Sequence, residues 1–200
     1  MRALGIFVKA PVPGHVKTRL ADDIGPSGAA QLYWRLGRQV VAVSVGSGYR
    51  TTVWFTPARR GSLVRHWLDA VGPVTFQPQR GRTLGSRLAH AFATEFAAGA
   101  RRVVMIGSDC PGVDRRLVRL AFAALRDHDL VLGPARDGGY YLIGLAAPEP
   151  ALFRAIAWST AAVTSQTKAR ASALGLGFRL LKPLRDVDTA PDARALGLLR

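Results

Sequence analysis

The sequence has a single cysteine, Cys110, in 200 residues, so no disulfide can form within the chain. No apolar run reaches the roughly 18 residues of a membrane span. The opening MRALGIFVKAPVPG carries an apolar run too short for a signal peptide, with no small-residue cleavage site behind it. A cytoplasmic location and no membrane partner are the expectation. Acid is scarce: 13 Asp and Glu stand against 28 Lys and Arg, a formal net charge of +15. Lysine is scarce too, at four of those 28. Arginine bias of this kind accompanies GC-rich coding, so part of the charge is compositional. The rest favours polyanions. The arginines are spread along the chain, and no helix-turn-helix, zinc-finger or RNA-binding signature occurs. No specific nucleic-acid partner is therefore expected.

Hydrophobic residues make up 48% of the chain, enough for a sizeable core. Its length fits one domain over residues 1–200, without repeat or linker. Apolar runs predict strands at residues 3–8, 51–55, 74–76, 102–106, 129–132, 140–145 and 178–181. Helical spacing of apolar residues predicts a helix from an N-cap at Ser27 to about Val45, with Leu32, Leu36 and Val40 on one face. Further helices are expected at 63–70, along Leu84, Leu88, Ala91, Phe92 and Phe96, at 115–126, at 161–174, and from Pro191 onward. Strands alternating with helices imply an α/β fold with a mostly parallel sheet. Ligands of such sheets bind beyond the carboxyl ends of the strands, so the loops that follow strands carry the chemistry.

The first such loop runs from Lys9 to Leu20. Pro11 and Pro13 stiffen it, and Gly14 permits close backbone approach. Lys17 offers phosphate a point charge and Arg19 a bidentate fork, with the Thr18 hydroxyl between them. Lys9 is a further phosphate candidate, whereas His15 reads as an ordinary loop residue. The glycine–lysine–serine order of a P-loop is absent. The second loop is Met105-Ile-Gly-Ser-Asp-Cys-Pro111. Asp109 directly follows an apolar strand, a good station for a ligand to Mg2+ or Mn2+. Cys110 reads as a small buried residue.

The third segment holds Asp137, Gly138 and Gly139. Asp137 is a candidate general base, and the glycines permit either a hairpin turn or close approach of a ligand. In the fourth, Trp158-Ser-Thr160, the indole reads as packing and Ser159 or Thr160 as a helix cap. In the fifth, Asp186 and Asp188 point the same way if the segment is extended, and so invite a metal or a cation such as Lys17. Asp188 or Thr189 is also a plausible cap for the last helix, with Pro191 in its first turn.

Taken in order, residues 9–20, 107–111, 137–142, 158–160 and 186–189 resemble the small bacterial glycosyltransferase-like family of the nucleotide-diphospho-sugar transferase superfamily. The Leu84-Gly85-x-Arg87 step also fits, although Thr83 stands where that family often has an acid. The resemblance implies a Rossmann-like three-layer α/β/α sandwich of GT-A type. It matches Lys17 and Arg19 to phosphate-contacting positions, and adds Arg87, Gly138 and Gly139 to the nucleotide-binding ones. Asp109 matches the metal-binding aspartate, with Asp188 and Asp186 as further metal ligands.

The expected activity is metal-dependent glycosyl transfer from a nucleotide sugar to a small acceptor. Asp109, Asp137 and Lys17 would carry the chemistry. The alternatives are nucleotidyl transfer from a nucleoside triphosphate, for example guanylyl transfer to a phosphorylated small acid, and a non-catalytic nucleotide-binding module. A homo-oligomer is left open.

Overall fold

The computed structural model describes residues 1–199. Seven strands form one sheet: β1 (Arg2–Lys9), β2 (Arg50–Thr56), β3 (Thr75–Pro78), β4 (Arg102–Gly107), β5 (Leu130–Pro134), β6 (Tyr140–Leu145) and β7 (Phe178–Leu180). Their order across the sheet is β3-β2-β1-β4-β6-β5-β7. β6 runs antiparallel to β4 and β5, and every other pairing is parallel. The expected strand–helix alternation breaks here for a simple reason. Only residues 135–139 join β5 to β6, too few for the dozen or more of a parallel crossover. The reversal places this short hairpin at the carboxyl edge of the parallel strands.

The helices are α1 (Thr18–Val45), α2 (Gly61–Leu68), α3 (Leu84–Ala97), α4 (Arg115–Ala124), α5 (Val163–Ala173) and α6 (Ala190–Ala195). Leu4, Ile6 and Val8 of β1 pack with α1, α2 and α4 on one face of the sheet. Ala3, Val103 and Met105 pack with α3 and α5 on the other. The central strands are therefore apolar on both sides and buried nearly end to end, as a sandwiched sheet requires. A third cluster locks α6 onto α1 through Leu20, Leu32, Ala190 and Ala193.

Two helix starts differ from the expectation. The N-cap of α5 is Ala162, with no side-chain cap bond, and not Ser159 or Thr160. Ser27 is not an N-cap: helix already runs from Thr18 and leaves helical dihedrals at Gly25 (φ 75, ψ 157). Pro26 then opens the longer second segment, where its missing N–H costs little. The first turns read as loop because Thr18 and Arg19 are exposed and polar. What holds them is tertiary: Leu20 is fully buried against α6. No helix among the described residues is long and apolar enough to cross a membrane.

Candidate active site

Three loops converge at the carboxyl edge, and backbone bonds tie them together. The Val187 amide donates to the Asp109 carbonyl at 3.1 Å, fastening the segment after β7 to the end of β4. The Arg136 amide donates to the Leu184 carbonyl at 3.0 Å, fastening the β5–β6 hairpin to the same segment. Val187 is fully buried, so Asp186 and Asp188 on either side of it turn toward the edge. Thr189 caps α6, accepting from the Asp192 amide, which leaves the Asp188 carboxylate free for other partners.

That partner is Lys17. Its Nζ lies 2.7 Å from Asp188 Oδ1 and 2.8 Å from Asp109 Oδ2, and its side chain is only 6% exposed. Burial alone would lower the Lys17 pKa. The charges of Asp109 and then Asp188 outweigh it and hold the ammonium protonated, above its usual value. Lys17 itself sits in the left-handed region (φ 48, ψ 47), a strained conformation for a residue with a Cβ. Arg19 is 72% exposed and stands 3.7 Å from Asp188 Oδ2.

Asp137, Asp186 and Asp188 form a second grouping. Each offers a carboxylate oxygen, and these atoms lie within 4.8 Å of one another. Burial, followed by the like charges of Asp137, Asp109 and Asp188, pushes the Asp186 carboxyl up to about 6. Negative charge is thus under-compensated here, and hard oxygen donors are the set that Mg2+ or Mn2+ takes. The sequence reading joined Asp109 to Asp186 and Asp188. The fold also brings Asp137 to Asp186 and Asp188, while Lys17 bonds Asp109 and Asp188 alike. Asp137 is also a turn residue, since its Oδ1 accepts from the Gly139 amide at 2.8 Å.

Two cavities meet at Asp109 and Asp188. The first, of about 360 Å³, is lined by Lys9, Lys17, Thr18, Arg19 and Arg87 among others. The second, of about 480 Å³, is lined by Asp137, Gly139, Tyr140, Trp158, Ser159 and Asp186 among others. Pro13 and Gly14 line neither: they lie exposed in the loop that precedes Lys17. Gly138 also stays out of the lining. At φ 91, an added Cβ would fall 2.2 Å from the Ala161 carbonyl oxygen, so this glycine serves packing of the hairpin against the 158–162 segment. Cys110 is fully buried, and burial pushes its thiol up to about 12, so it is a protonated packing residue.

Sequence reasoning missed Tyr33, Ser108 and Gln79. The Tyr33 hydroxyl bonds Ser108 Oγ at 2.8 Å and accepts from the Lys9 amide at 2.9 Å, bracing the floor of the first cavity. Its position on the buried stripe of α1 makes it read as core. Gln79 Nε2 donates to the Val8 and Trp54 carbonyls at 3.2 and 2.8 Å, and the residue lines that cavity. No motif flags it.

Comparison with known proteins agrees with this architecture. The model of the family described as "Uncharacterized protein conserved in bacteria (DUF2064)" matches residues 40–160. A solved structure from Desulfovibrio desulfuricans G20, named "putative nucleotide-diphospho-sugar transferase", is 35% identical. The match covers 98% of this chain and 85% of that one, at a TM-score of 0.92. The phosphoenolpyruvate guanylyltransferase of Chloroflexus aggregans is 28% identical over 89% of this chain and 87% of its own. Rv0371C of Mycobacterium tuberculosis H37Rv, solved in complex with manganese, shares the fold at a TM-score of 0.58 and 16% identity. That match covers 98% of each chain.

Proposed function

The chain belongs to the bacterial DUF2064 family, within the nucleotide-diphospho-sugar transferase superfamily of transferases, and on that premise we propose that it is a metal-dependent glycosyltransferase. It moves a sugar from a nucleotide-sugar donor to the hydroxyl of a small acceptor. The observation that carries the reading is the meeting of two unlike cavities at Asp109 and Asp188. The first gathers the cations Lys9, Lys17, Arg19 and Arg87, and suits a nucleotide and its phosphates. The second gathers carboxylates and hydroxyls, and suits the reacting sugar and acceptor.

In this reading the diphosphate lies at the shared wall. The bond from the anomeric carbon to the diphosphate oxygen breaks, and a bond to the acceptor oxygen forms. Asp137 takes the acceptor proton as general base. Lys17 and Arg19 stabilise the charge left on the departing nucleoside diphosphate. Asp186 and Asp188, with Asp109 beside them, would hold the divalent ion, and Asp137, within reach of the same oxygens, is left for the acceptor proton. When bound, Mg2+ or Mn2+ supplies charge neutralisation on the diphosphate. The manganese complex of Rv0371C supports a metal of this kind on this fold.

A second reading is favoured by the Chloroflexus relative, which matches across nearly the whole chain. It is nucleotidyl transfer, where a nucleoside triphosphate donates its nucleotide and releases pyrophosphate. Product analysis separates the two. Release of nucleoside diphosphate from a nucleotide sugar supports glycosyl transfer; pyrophosphate from a triphosphate replaces it with nucleotidyl transfer.

A further inference from the structure

The second cavity has a wall that the transfer chemistry leaves unexplained. The Trp158 indole lines it beside Tyr140, Ser159 and Thr160. Tyr140 meets the indole edge-on, ring centroids 6.3 Å apart at 85°. The other support is an absence. Gly85, in the first turn of α3, faces the indole so closely that a Cβ there would lie 2.6 Å from Trp158 Nε1 and 2.7 Å from Cε2 and Cζ2. The helix surrenders a side chain to seat this ring. The next residue, Ser159, has φ 66, a costly conformation for a non-glycine residue. The strain falls at the cavity wall, where the surrounding fold must hold it.

Charge narrows the ligand. Among the described residues, Arg19 is the only cation lining this cavity, which Asp109, Asp137, Asp186 and Asp188 also line. Lys17 offsets Asp109 and Asp188, and a divalent ion would offset the remaining carboxylates, so a phosphorylated or carboxylated ring would find no buried cation free to pair with it. A neutral ring needs none, and its hydroxyls are natural donors to carboxylate oxygens. Its apolar face can lie on an aromatic plane.

We propose that Trp158, seated on Gly85, is the platform for a neutral polyhydroxylated ring, the sugar of the donor, and that it selects against anionic rings. The proposal rests on the glycosyl-transfer reading and adds the class of sugar and the residue that reads it.

The test compares dissociation constants, with Mn2+ present, for UDP-glucose against UDP and for GDP-mannose against GDP, with UDP-glucuronate as the charged-ring control. In the wild type, at least one neutral ring adds affinity beyond its own nucleoside diphosphate, and UDP-glucuronate binds more weakly than UDP-glucose. Trp158→Ala loses that increment, about tenfold, while the nucleoside diphosphate binds as before. Trp158→Phe keeps most of it. Gly85→Ala, which retains the indole but displaces it, loses it as Trp158→Ala does, so the result does not hang on one variant's folding. Equal weakening of diphosphate and nucleotide sugar, or no change in either, overturns the proposal. So does a wild type that gains nothing from either neutral ring while still binding the diphosphates. If no nucleotide binds at all, the donor reading falls and takes this proposal with it.

Discussion

Lys17 holds Asp188 at 2.7 Å across 171 residues of sequence, with its second hydrogen bond spent on Asp109. One buried ammonium thus neutralises two carboxylates at the point where the two cavities meet. A divalent cation bound at Asp188 competes with it for the same oxygens. Lys17→Met should therefore tighten Mn2+ binding in the absence of nucleotide, measured by calorimetry. Turnover should fall by about 10²–10³, the usual cost of one lost transition-state donor. Unchanged Mn2+ affinity would show that the lysine and the metal do not share a site.

Asp109→Ala should abolish metal-dependent turnover. Asp109 ends β4 at the shared wall of both cavities and bonds Lys17 directly. Steady-state kinetics across a Mn2+ titration checks this. Activity at the wild-type level would remove Asp109 from the chemistry.

Asp186 gives the pH signature. Its carboxyl is raised from 3.8 to about 6, chiefly by burial and then by its acidic neighbours. Between about pH 4 and 6 the folded state binds more protons at this position than the unfolded chain does, so stability falls as pH rises through that window. The penalty is complete above about pH 6. Asp186→Asn should raise the melting temperature at pH 8 and leave it nearly unchanged at pH 4. Equal shifts at both would mean that ionisation of Asp186 is not the cause.

Cys110→Ala should keep wild-type turnover, because the thiol is buried and stays protonated at neutral pH. A loss of more than tenfold in a folded variant would put the thiol back among the reacting groups.

The sheet was legible in the sequence because its central strands are short and apolar on both faces; β6 lies at 140–145 as read. Local letters also marked the Asp137-Gly138 turn, and the pairing of Asp188 with Lys17 was an open possibility in the alternating aspartates. What could not be read depends on distance in the chain. The helical turn at Thr18–Leu20 depends on packing against α6, some 170 residues later. The approach of Asp137 to Asp186 and Asp188 goes with the Arg136–Leu184 backbone bond, which no motif encodes. The seat of Trp158 is written only as a glycine 73 positions earlier, within a stretch that reads as an ordinary helix start.

The most direct test of a nucleotide-activated donor held with a divalent metal is a melt of the wild-type protein. Nucleotide sugars and nucleoside triphosphates are each tried with and without Mn2+. A ligand at about 100 times its dissociation constant stabilises by roughly 2.7 kcal/mol. For a chain of this size each kcal/mol moves the midpoint by roughly 2–4 °C, well within resolution. A nucleotide sugar should give a clear rise that needs Mn2+. No rise with any nucleotide, or a rise of equal size without the metal, would contradict it.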